Sequence, residues 1–206
     1  SNKTVANKPQ QKTYTNQDVI DCWNNAEKTG EDTYLKDKHL PAPPIARFGK
    51  NPKGYHATMI PLTDIKGNFR GVISLNAKNK TKYIYKANED ENLPCFTQLG
   101  TLDYQTQEMY IGEGIATVQT PWEATDRQIP GVSAGTWSNI LPALKSIKQE
   151  HPQIKPIVLI DLDNDGNGLK AARQIQEVFP DATFRAPNFK GLKNKSSEKL
   201  KDFNDL

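Results

Sequence analysis

Three aspartates, spaced two residues apart, follow a short apolar run in the second half of the chain. The run covers residues 157–160, and the acids are Asp161, Asp163 and Asp165. An uninterrupted run rich in β-branched residues predicts a strand buried on both faces, as in a parallel sheet. Carboxylates at the carboxyl end of such a strand, just before a helix, lie where open α/β sheets bind ligands. We therefore predict a divalent metal site for Mg²⁺ or Mn²⁺, because these cations prefer oxygen ligands.

Three other interpretations of these acids stay open. The pattern Asp-x-Asp-x-Asp-Gly is also the first half of an EF-hand calcium loop. However, the twelfth position is Ala172 where a glutamate should bind, and a strand precedes the loop where a helix should. Asp161 or Asp163 at a strand end would also suit an aspartyl-phosphate nucleophile. The acids would be purely structural if they only cap the following helix and form turns.

Alternating strand and helix patterns surround the acids and predict the elements that position them. Strands are predicted at 108–112, 132–135, 157–162 and 182–185, with helices at 115–126, 137–150 and 169–179. Pro121 is expected to break or kink the first of these helices. The order predicts an α/β fold, a mostly parallel sheet flanked by helices.

The first hundred residues predict a smaller α+β subdomain. Thr15 and Asp18 indicate the start of a helix over 16–28, and a second short helical piece is expected at 32–39. Period-two patterns predict an antiparallel meander with strands at 57–62, 69–75 and 82–85. Pro61 implies an edge position or a strand end. The chain is accordingly divided into a polar, disordered lead-in over 1–14, this subdomain over 15–104, and the α/β domain over 105–206.

A glutamate at the end of the first predicted parallel strand extends the acidic edge. If the strands at 108–112 and 157–162 are neighbours, Glu113 meets Asp163 and Asp165. Without a cation the three carboxylates would repel and raise one another's pKa, so Mg²⁺ is the natural neutraliser. Glu113 would suit a general acid or base, or it is an ordinary turn acid. A further acidic patch either reaches the same edge or is a solvated tail, and it consists of Asp202 and Asp205.

Charge is unevenly distributed along the chain. Residues 1–100 hold 15 Lys and Arg against 10 Asp and Glu, whereas residues 101–206 hold 12 against 14. A basic half joined to an acidic, metal-ready half suits an enzyme of nucleic acids, although a merely solvated surface is an equal alternative. Three lysines surround one loop of the meander, either as phosphate contacts or as a solvated hairpin tip, and they are Lys78, Lys80 and Lys82.

Cysteine content and hydropathy indicate the cellular compartment in which the protein is expected. Cys22 and Cys95 are isolated, so neither a zinc site nor a disulfide framework is indicated. No apolar run approaches the roughly 18 residues needed to span a bilayer, and no signal peptide is visible. We expect a reducing, cytoplasmic location and no membrane partner. Both ends of the sequence suggest a fragment of a longer protein.

Two motifs resemble those of Toprim domains, which occur in bacterial primases, topoisomerases and some nucleases. Ile111-Gly-Glu-Gly-Ile-Ala-Thr117 resembles their Glu-Gly signature, and Asp163-Asn-Asp-Gly-Asn-Gly168 resembles their Asp-x-Asp-x-x-Gly signature. The segment 58–67, with Lys82-Tyr83, looks like the N-terminal half of a primase polymerase core. The segments 34–38, 132–135 and 201–206 are similar to plasmid- and phage-encoded primases. The resemblance covers roughly residues 30 to 206.

The resemblance implies roles for individual residues. Glu113 matches the catalytic glutamate, and Asp163 and Asp165 match the metal-binding pair, with Asp202 or Asp205 as a further acidic position. Asp161 is an extra acid, which we also count as a metal ligand. Lys82 matches a basic residue near the nucleotide or template path, and we group Lys78, Lys80 and Arg70 with it. Asn76 replaces an expected basic residue, and no zinc-binding module is present to select a template.

The function implied by the resemblance is that of a DNA primase catalytic core from a mobile element. Such a core would use Mg²⁺ or Mn²⁺ to join nucleotides into short primers on single-stranded DNA. Its expected partners are the template, nucleoside triphosphates, and a replicative helicase or further domains of the same polypeptide. A Toprim nuclease is an alternative, because it uses the same acids for hydrolysis. A non-catalytic Toprim module that binds single-stranded nucleic acid is another.

Overall fold

The computed structural model describes residues 14–76, 78, 81–87, 93–161 and 166–187. Within these ranges the chain forms two sheets and four α-helices. The predicted lead-in lies outside the described residues except for Tyr14. Five of the predicted site residues also lie outside them, namely Lys80, Asp163, Asp165, Asp202 and Asp205.

The first helix, α1 (Asn16–Asn24), begins with the predicted capping box. The amide of Asp18 donates to Thr15 Oγ1 at 3.2 Å, and the amide of Thr15 donates to Asp18 Oδ2 at 2.7 Å. The helix ends before the predicted residue 28, because Glu27 leaves it to form a bridge with Phe48. The predicted helix over 32–39 is only the 3₁₀ turn Lys36–Lys38, which ends in a left-handed residue.

The first sheet is antiparallel, with its four strands in sequence order. The strands are β1 (Arg47–Lys50), β2 (His56–Thr63), β3 (Phe69–Asn76) and β4 (Thr81–Lys86). The predicted meander is confirmed, and β1 is an additional strand. Ile60 and Ile73 point to the main core on the inner face, whereas Met59 and Val72 point to α1 on the outer face.

Pro61 lies in an interior strand, so the predicted edge position is wrong. Strand β2 has β1 on one side and β3 on the other. However, β1 begins at Arg47, which is paired with Met59. The pairing between β1 and β2 therefore stops two residues before Pro61. At Pro61 the strand therefore has a ladder partner only on the side of β3, and a residue without an N–H is tolerated there.

The second sheet is mostly parallel, with the strand order β5-β7-β6-β8-β9. Its strands are β5 (Thr97–Leu99), β6 (Glu108–Ile111), β7 (Gly131–Ser133), β8 (Lys155–Leu159) and β9 (Thr183–Arg185). Only β5 is antiparallel to its neighbour. The flanking helices are α2 (Ile115–Ala124), α3 (Trp137–Glu150) and α4 (Asn167–Val178). The predicted α/β fold with a preceding antiparallel α+β subdomain is confirmed, and β6 and β8 are neighbours.

Two prolines lie inside helices. Pro121 does not end α2, which continues to Ala124, and Pro142 lies within α3. Both helices tolerate the lost hydrogen bond because each packs an apolar face on the core, including Trp122 and Leu144.

A single hydrophobic core joins the two sheets. Ile60 and Leu75 of the first sheet belong to the same buried cluster as Ile111 and Val132 of the second. Burial of this shared surface fixes the relative position of the sheets, so side chains from both can meet at one site. In the described part of the chain, no helix combines the length and hydropathy required to traverse a lipid bilayer.

Candidate functional site

Glu113 lies in the turn that joins β6 to α2. The turn is Gly112-Glu113-Gly114, and the half-buried Glu113 is held at the carboxyl edge of the second sheet. A Cβ atom on residue 112 would lie 2.9 Å from Val118 Cγ1, so only glycine lets the helix return this closely to the strand. The glycine that precedes Glu113 therefore has a structural reason.

Asp161 occupies the equivalent position after the neighbouring strand. Strands β6 and β8 are parallel and paired through Ile111 and Val158, so the residues that follow them emerge at the same edge. The hydroxyl of Thr117, on the first turn of α2, donates to Asp161 Oδ2 at 3.3 Å. Glu113 and Asp161 therefore lie at the same edge, whereas the predicted meeting of Glu113 with Asp163 and Asp165 falls outside the described residues.

Lys82 reaches this acidic edge from the first sheet. Its Nζ atom donates to the carbonyl oxygen of Gly135, in the turn after β7, at 2.5 Å. Partial removal from water lowers the pKa of Lys82, although attraction to the carboxylates of Glu113 and Asp161 acts in the opposite direction. The residue Lys82 is exposed overall, but its amine end is held against the carbonyl of Gly135.

The three charged residues line one cavity of about 260 Å³, which we call the mixed cavity. Lys38 and Tyr34, which precede the first sheet, contribute to the same wall, and Lys38 also lowers the pKa of Lys82. The mixed cavity therefore combines two cationic and two anionic side chains from different parts of the chain. Such a mixture suits a ligand that carries negative groups together with a bound cation.

A second cavity, of about 350 Å³, also has Glu113 in its wall. Its other walls come from the amino-terminal ends of two helices, with Thr136 and Trp137 of α3 and Asn167 and Lys170 of α4. Helix amino termini and an exposed lysine favour an anionic group. Glu113 thus stands at the boundary between the mixed cavity and a cavity with cationic character.

The described residues supply only part of a metal site. They contain no group of three or more His, Cys, Asp or Glu side chains arranged to hold an ion. Glu113 and Asp161 provide carboxylate oxygens at one edge, and Mg²⁺ commonly takes one or two protein carboxylates together with substrate phosphates. The donor set thus fits Mg²⁺ or Mn²⁺, and Asp163 and Asp165 follow Asp161 directly in the sequence.

The remaining predicted basic residues lie elsewhere. Lys78 is exposed at the β3–β4 hairpin. Arg70 donates two hydrogen bonds to Asp64 Oδ2, from Nε at 3.0 Å and from Nη2 at 2.7 Å. Their roles in nucleic-acid binding stay predictions.

The sequence did not indicate the roles of Lys38 and Thr117 in the wall of the mixed cavity, nor that of Gly135, whose carbonyl holds Lys82. Each of them lies inside a segment that carried the Toprim or primase resemblance, which was the one available signal.

Two solved structures share this architecture. The primase fragment of the bacteriophage T7 primase-helicase protein aligns with a TM-score of 0.60 and 18% identity, over 98% of this chain and 77% of that chain. A complex of the T7 lagging-strand DNA polymerase with the primase domains of two gp4 subunits, an RNA/DNA hybrid and dTTP aligns with a TM-score of 0.54. There the identity is 16%, and the alignment covers 86% of this chain and 80% of that chain.

No protein-family model matches the sequence, and no curated protein sequence matches it. At this level of identity the two structural alignments establish the fold, which is a Toprim-type α/β sheet preceded by a primase-like α+β subdomain.

Proposed function

We propose that this chain is the catalytic core of a DNA primase, which joins nucleotides into short primers on single-stranded DNA. The observation that carries the proposal is the mixed cavity, in which Glu113 and Asp161 of the second sheet face Lys82 of the first. Phosphoryl transfer needs positive charge on the phosphates and a carboxylate beside the attacking hydroxyl. The cavity supplies both from rigid elements.

Each side chain has a defined task in this proposal. Glu113 accepts the proton of a primer 3′-hydroxyl, because it is half-exposed and borders both cavities. The ammonium of Lys82 neutralises negative charge on the nucleotide phosphates, and its bond to Gly135 holds it in place. Asp161, Asp163 and Asp165 would hold Mg²⁺, which would supply Lewis-acid stabilisation of charge on the phosphates.

The second cavity suits the triphosphate end of an incoming nucleotide. Lys170 and the first turns of α3 and α4 surround it with positive partial charges. The T7 primase-domain complex contains an RNA/DNA hybrid and dTTP, which supports nucleic acid and nucleoside triphosphates as the ligands here. A replicative helicase or further domains are proposed as partners, and a mobile-element origin and a cytoplasmic location accompany this function.

The direct test is a gel assay of primer synthesis on single-stranded DNA with nucleoside triphosphates and Mg²⁺ or Mn²⁺. Glu113→Gln should lower the rate by about a hundredfold or more, as expected for the loss of a general base. The matched control is Glu108→Gln, which changes an exposed glutamate at the opposite end of the same strand and should leave the rate unchanged. Full activity of folded Glu113→Gln protein would refute the proposal.

The same assay separates the two alternatives. A Toprim nuclease, which would use the same carboxylate edge, shortens the labelled strand where a primase produces new chains. A non-catalytic module would bind the strand in a salt-sensitive, metal-independent way and leave it unchanged.

A further inference from the structure

The outer face of the first sheet carries a strip of tyrosines, which we call the tyrosine strip: Tyr14, Tyr55, Tyr83 and Tyr85. Tyr55 is 57% exposed, Tyr83 is 44% exposed and Tyr14 is 37% exposed, whereas Tyr85 is buried beneath them. Only five large hydrophobic residues are exposed in the described part of the chain, and three of them belong to this strip. The concentration of exposed rings on one face points to a ligand.

Three of the four rings are in contact through the buried Tyr85, and a cation lies over one exposed ring. Tyr83 and Tyr85 have ring centroids 6.3 Å apart, and Tyr14 meets Tyr85 edge-on at 4.9 Å. The Nζ atom of Lys53 lies 4.8 Å from the centroid of the Tyr83 ring. A base stacked on these rings would therefore have an ammonium group close to its phosphate.

A buried asparagine holds the hairpin that presents Lys53 and Tyr55. The side-chain amide of Asn51 donates to Ser74 Oγ at 3.0 Å. Its carbonyl oxygen accepts hydrogen bonds from the backbone amides of Lys53, at 3.0 Å, and Tyr55, at 3.1 Å. Because Asn51 is only 4% exposed, the exposed residues of the turn are fixed by a buried side chain. The strip is therefore preorganised, which reduces the entropy lost on binding.

The tyrosine strip and the mixed cavity lie on opposite faces of one strand. Side chains alternate along β4, so Tyr83 points to the outer face while Lys82 points toward Gly135 and the second sheet. The strip is thus separate from the residues assigned to phosphoryl transfer.

The two hairpins around the strip are basic. Residues 50–56 and 74–86 contain neither aspartate nor glutamate, and they contain five lysines besides Lys82, which points to the opposite face. Neighbouring α1 contributes two carboxylates, Asp18 in the capping box and Asp21 beside Gln17, which are outnumbered by these lysines. A polyanion is therefore the ligand that the charge favours.

We propose that the tyrosine strip binds single-stranded nucleic acid, with bases stacked on Tyr55 and Tyr83 and a phosphate next to Lys53. Unpaired bases expose the π-faces that such rings stack on, whereas a duplex hides them. The inference rests on the proposed function only for the choice of a nucleic acid as the ligand. Binding at the strip requires no metal and no nucleotide.

The test is fluorescence anisotropy of a labelled thymidine oligonucleotide, titrated with the full chain in EDTA and without nucleotides. Tyr83→Leu should weaken binding by about fivefold or more, because stacking contributes about 1–3 kcal/mol per base. Tyr83→Phe, which keeps the ring, should bind the oligonucleotide with the affinity of the wild type. Tyr104→Leu is the matched control, since Tyr104 is 80% exposed but precedes β6, at the opposite edge of the second sheet from Glu113.

The outcomes separate this proposal from the proposed function. If Tyr83→Leu binds the oligonucleotide as well as the wild type while the wild type makes primers, the strip is not the binding surface and the primase assignment stands. If Tyr83→Leu loses affinity but the wild type makes no primers, the strip stands and the primase assignment fails. Equal loss for Tyr83→Leu and Tyr83→Phe, or binding of anionic vesicles in place of the oligonucleotide, would overturn the stacking role. Circular dichroism of each variant verifies folding.

Discussion

At the scale of single residues, one nearly buried carboxylate organises the turn between β2 and β3. Asp64 Oδ2 forms an ion pair with Arg70 Nη2 at 2.7 Å. The Asp64 side chain also accepts hydrogen bonds from the backbone amides of Lys66 and Asn68, each at 2.9 Å. Because a single side chain satisfies this many donors, the turn depends on its charge.

Asp64→Asn should destabilise the fold by about 2–4 kcal/mol, because it breaks a buried, multiply hydrogen-bonded ion pair. Burial alone would raise the pKa of Asp64, but hydrogen bonds from Asn68 and Arg70 and from backbone amides lower it below the ordinary 3.8. A depressed pKa contributes stability that is present above pH 3.8 and lost as the pH falls through the folded-state value. Urea unfolding at pH 7 and pH 3 measures both effects.

The control for this experiment is Asp181→Asn, which changes an exposed aspartate and should shift stability by no more than about 0.5 kcal/mol. A stability difference between wild type and Asp64→Asn that is equal at both pH values would contradict the assigned role of the carboxylate.

Individual site residues could be placed from the sequence where they directly follow a recognisable strand. The sequence places Glu113 and Asp161 each after a recognisable buried strand, and the pairing of β6 with β8 puts both at one edge, while their chemical roles stay predictions. Lys38 and Thr117 could not be predicted in the same way. Their contribution arises only when the two sheets pack together, and no periodic pattern encodes that contact.

Arg70 shows that residue type alone does not reveal which group a basic side chain contacts. A basic residue in the meander was grouped with the nucleic-acid contacts, but the structure gives it a carboxylate partner, Asp64. The partner lies six residues earlier, across the β2–β3 turn, where spacing along the chain gives no sign of an ion pair.

At the scale of elements, the sequence predicts most helices and strands, including the short strands β6, β7 and β9, but not β1 and β5. Helix α3 has the bounds that its apolar pattern predicted, Trp137–Glu150. Strands β1 and β5 lie outside the alternating strand and helix series that indicates the equally short β6, β7 and β9, and they form by pairing with the neighbouring strands β2 and β7. The sequence predicts that α1 continues to residue 28, whereas it ends at Asn24. A bridge between Glu27 and Phe48 stops the helix, and this contact depends on tertiary structure.

The turn after β7 contacts the first sheet through the hydrogen bond from Lys82 to the carbonyl of Gly135. Gly135 has a φ of +79°, and a Cβ atom there would lie 2.9 Å from Ile84 Cδ1 of β4. Gly135→Ala should therefore cost about 1–2 kcal/mol of stability through its left-handed backbone. It should also lower primer synthesis, because the displaced carbonyl no longer orients Lys82.

Comparison with Gly67→Ala separates the loss of primer synthesis in Gly135→Ala from its loss of stability. Gly67 has a φ of +80°, and a Cβ atom there would meet no other atom within 4 Å, so the variant incurs the same backbone cost away from Lys82. Thermal unfolding should shift similarly in both variants, whereas activity should fall only in Gly135→Ala. Equal activity in the two variants would show that the carbonyl contact does not position Lys82.

At the scale of the whole molecule, the sequence predicted two subdomains but not how they are joined. The structure shows one buried cluster that runs through both sheets, from Ile60 to Val132. Which inner faces meet depends on long-range packing, so hydropathy along the chain could not reveal it. The shared core explains how residues far apart in sequence line one rigid cavity.

A shared core predicts cooperative unfolding. Trp23→Phe removes the single tryptophan of the first subdomain, so the fluorescence of the variant reports only Trp122 and Trp137 around the second sheet. Its urea transition by fluorescence should coincide with the transition by far-UV circular dichroism, which reports both sheets. Separate midpoints would mean that the sheets unfold independently.

Strand β4 presents Lys82 to one side and Tyr83 to the other, and this alternation has a consequence for how the molecule tolerates change. A slip of one residue in the β3–β4 pairing would exchange the two faces, delivering a phenol to the acidic edge and an ammonium to the aromatic side. Both surfaces would be lost in a single event. An insertion or deletion near the tip of this hairpin that shifts the register would therefore disrupt both surfaces, even if only one of them is needed for function.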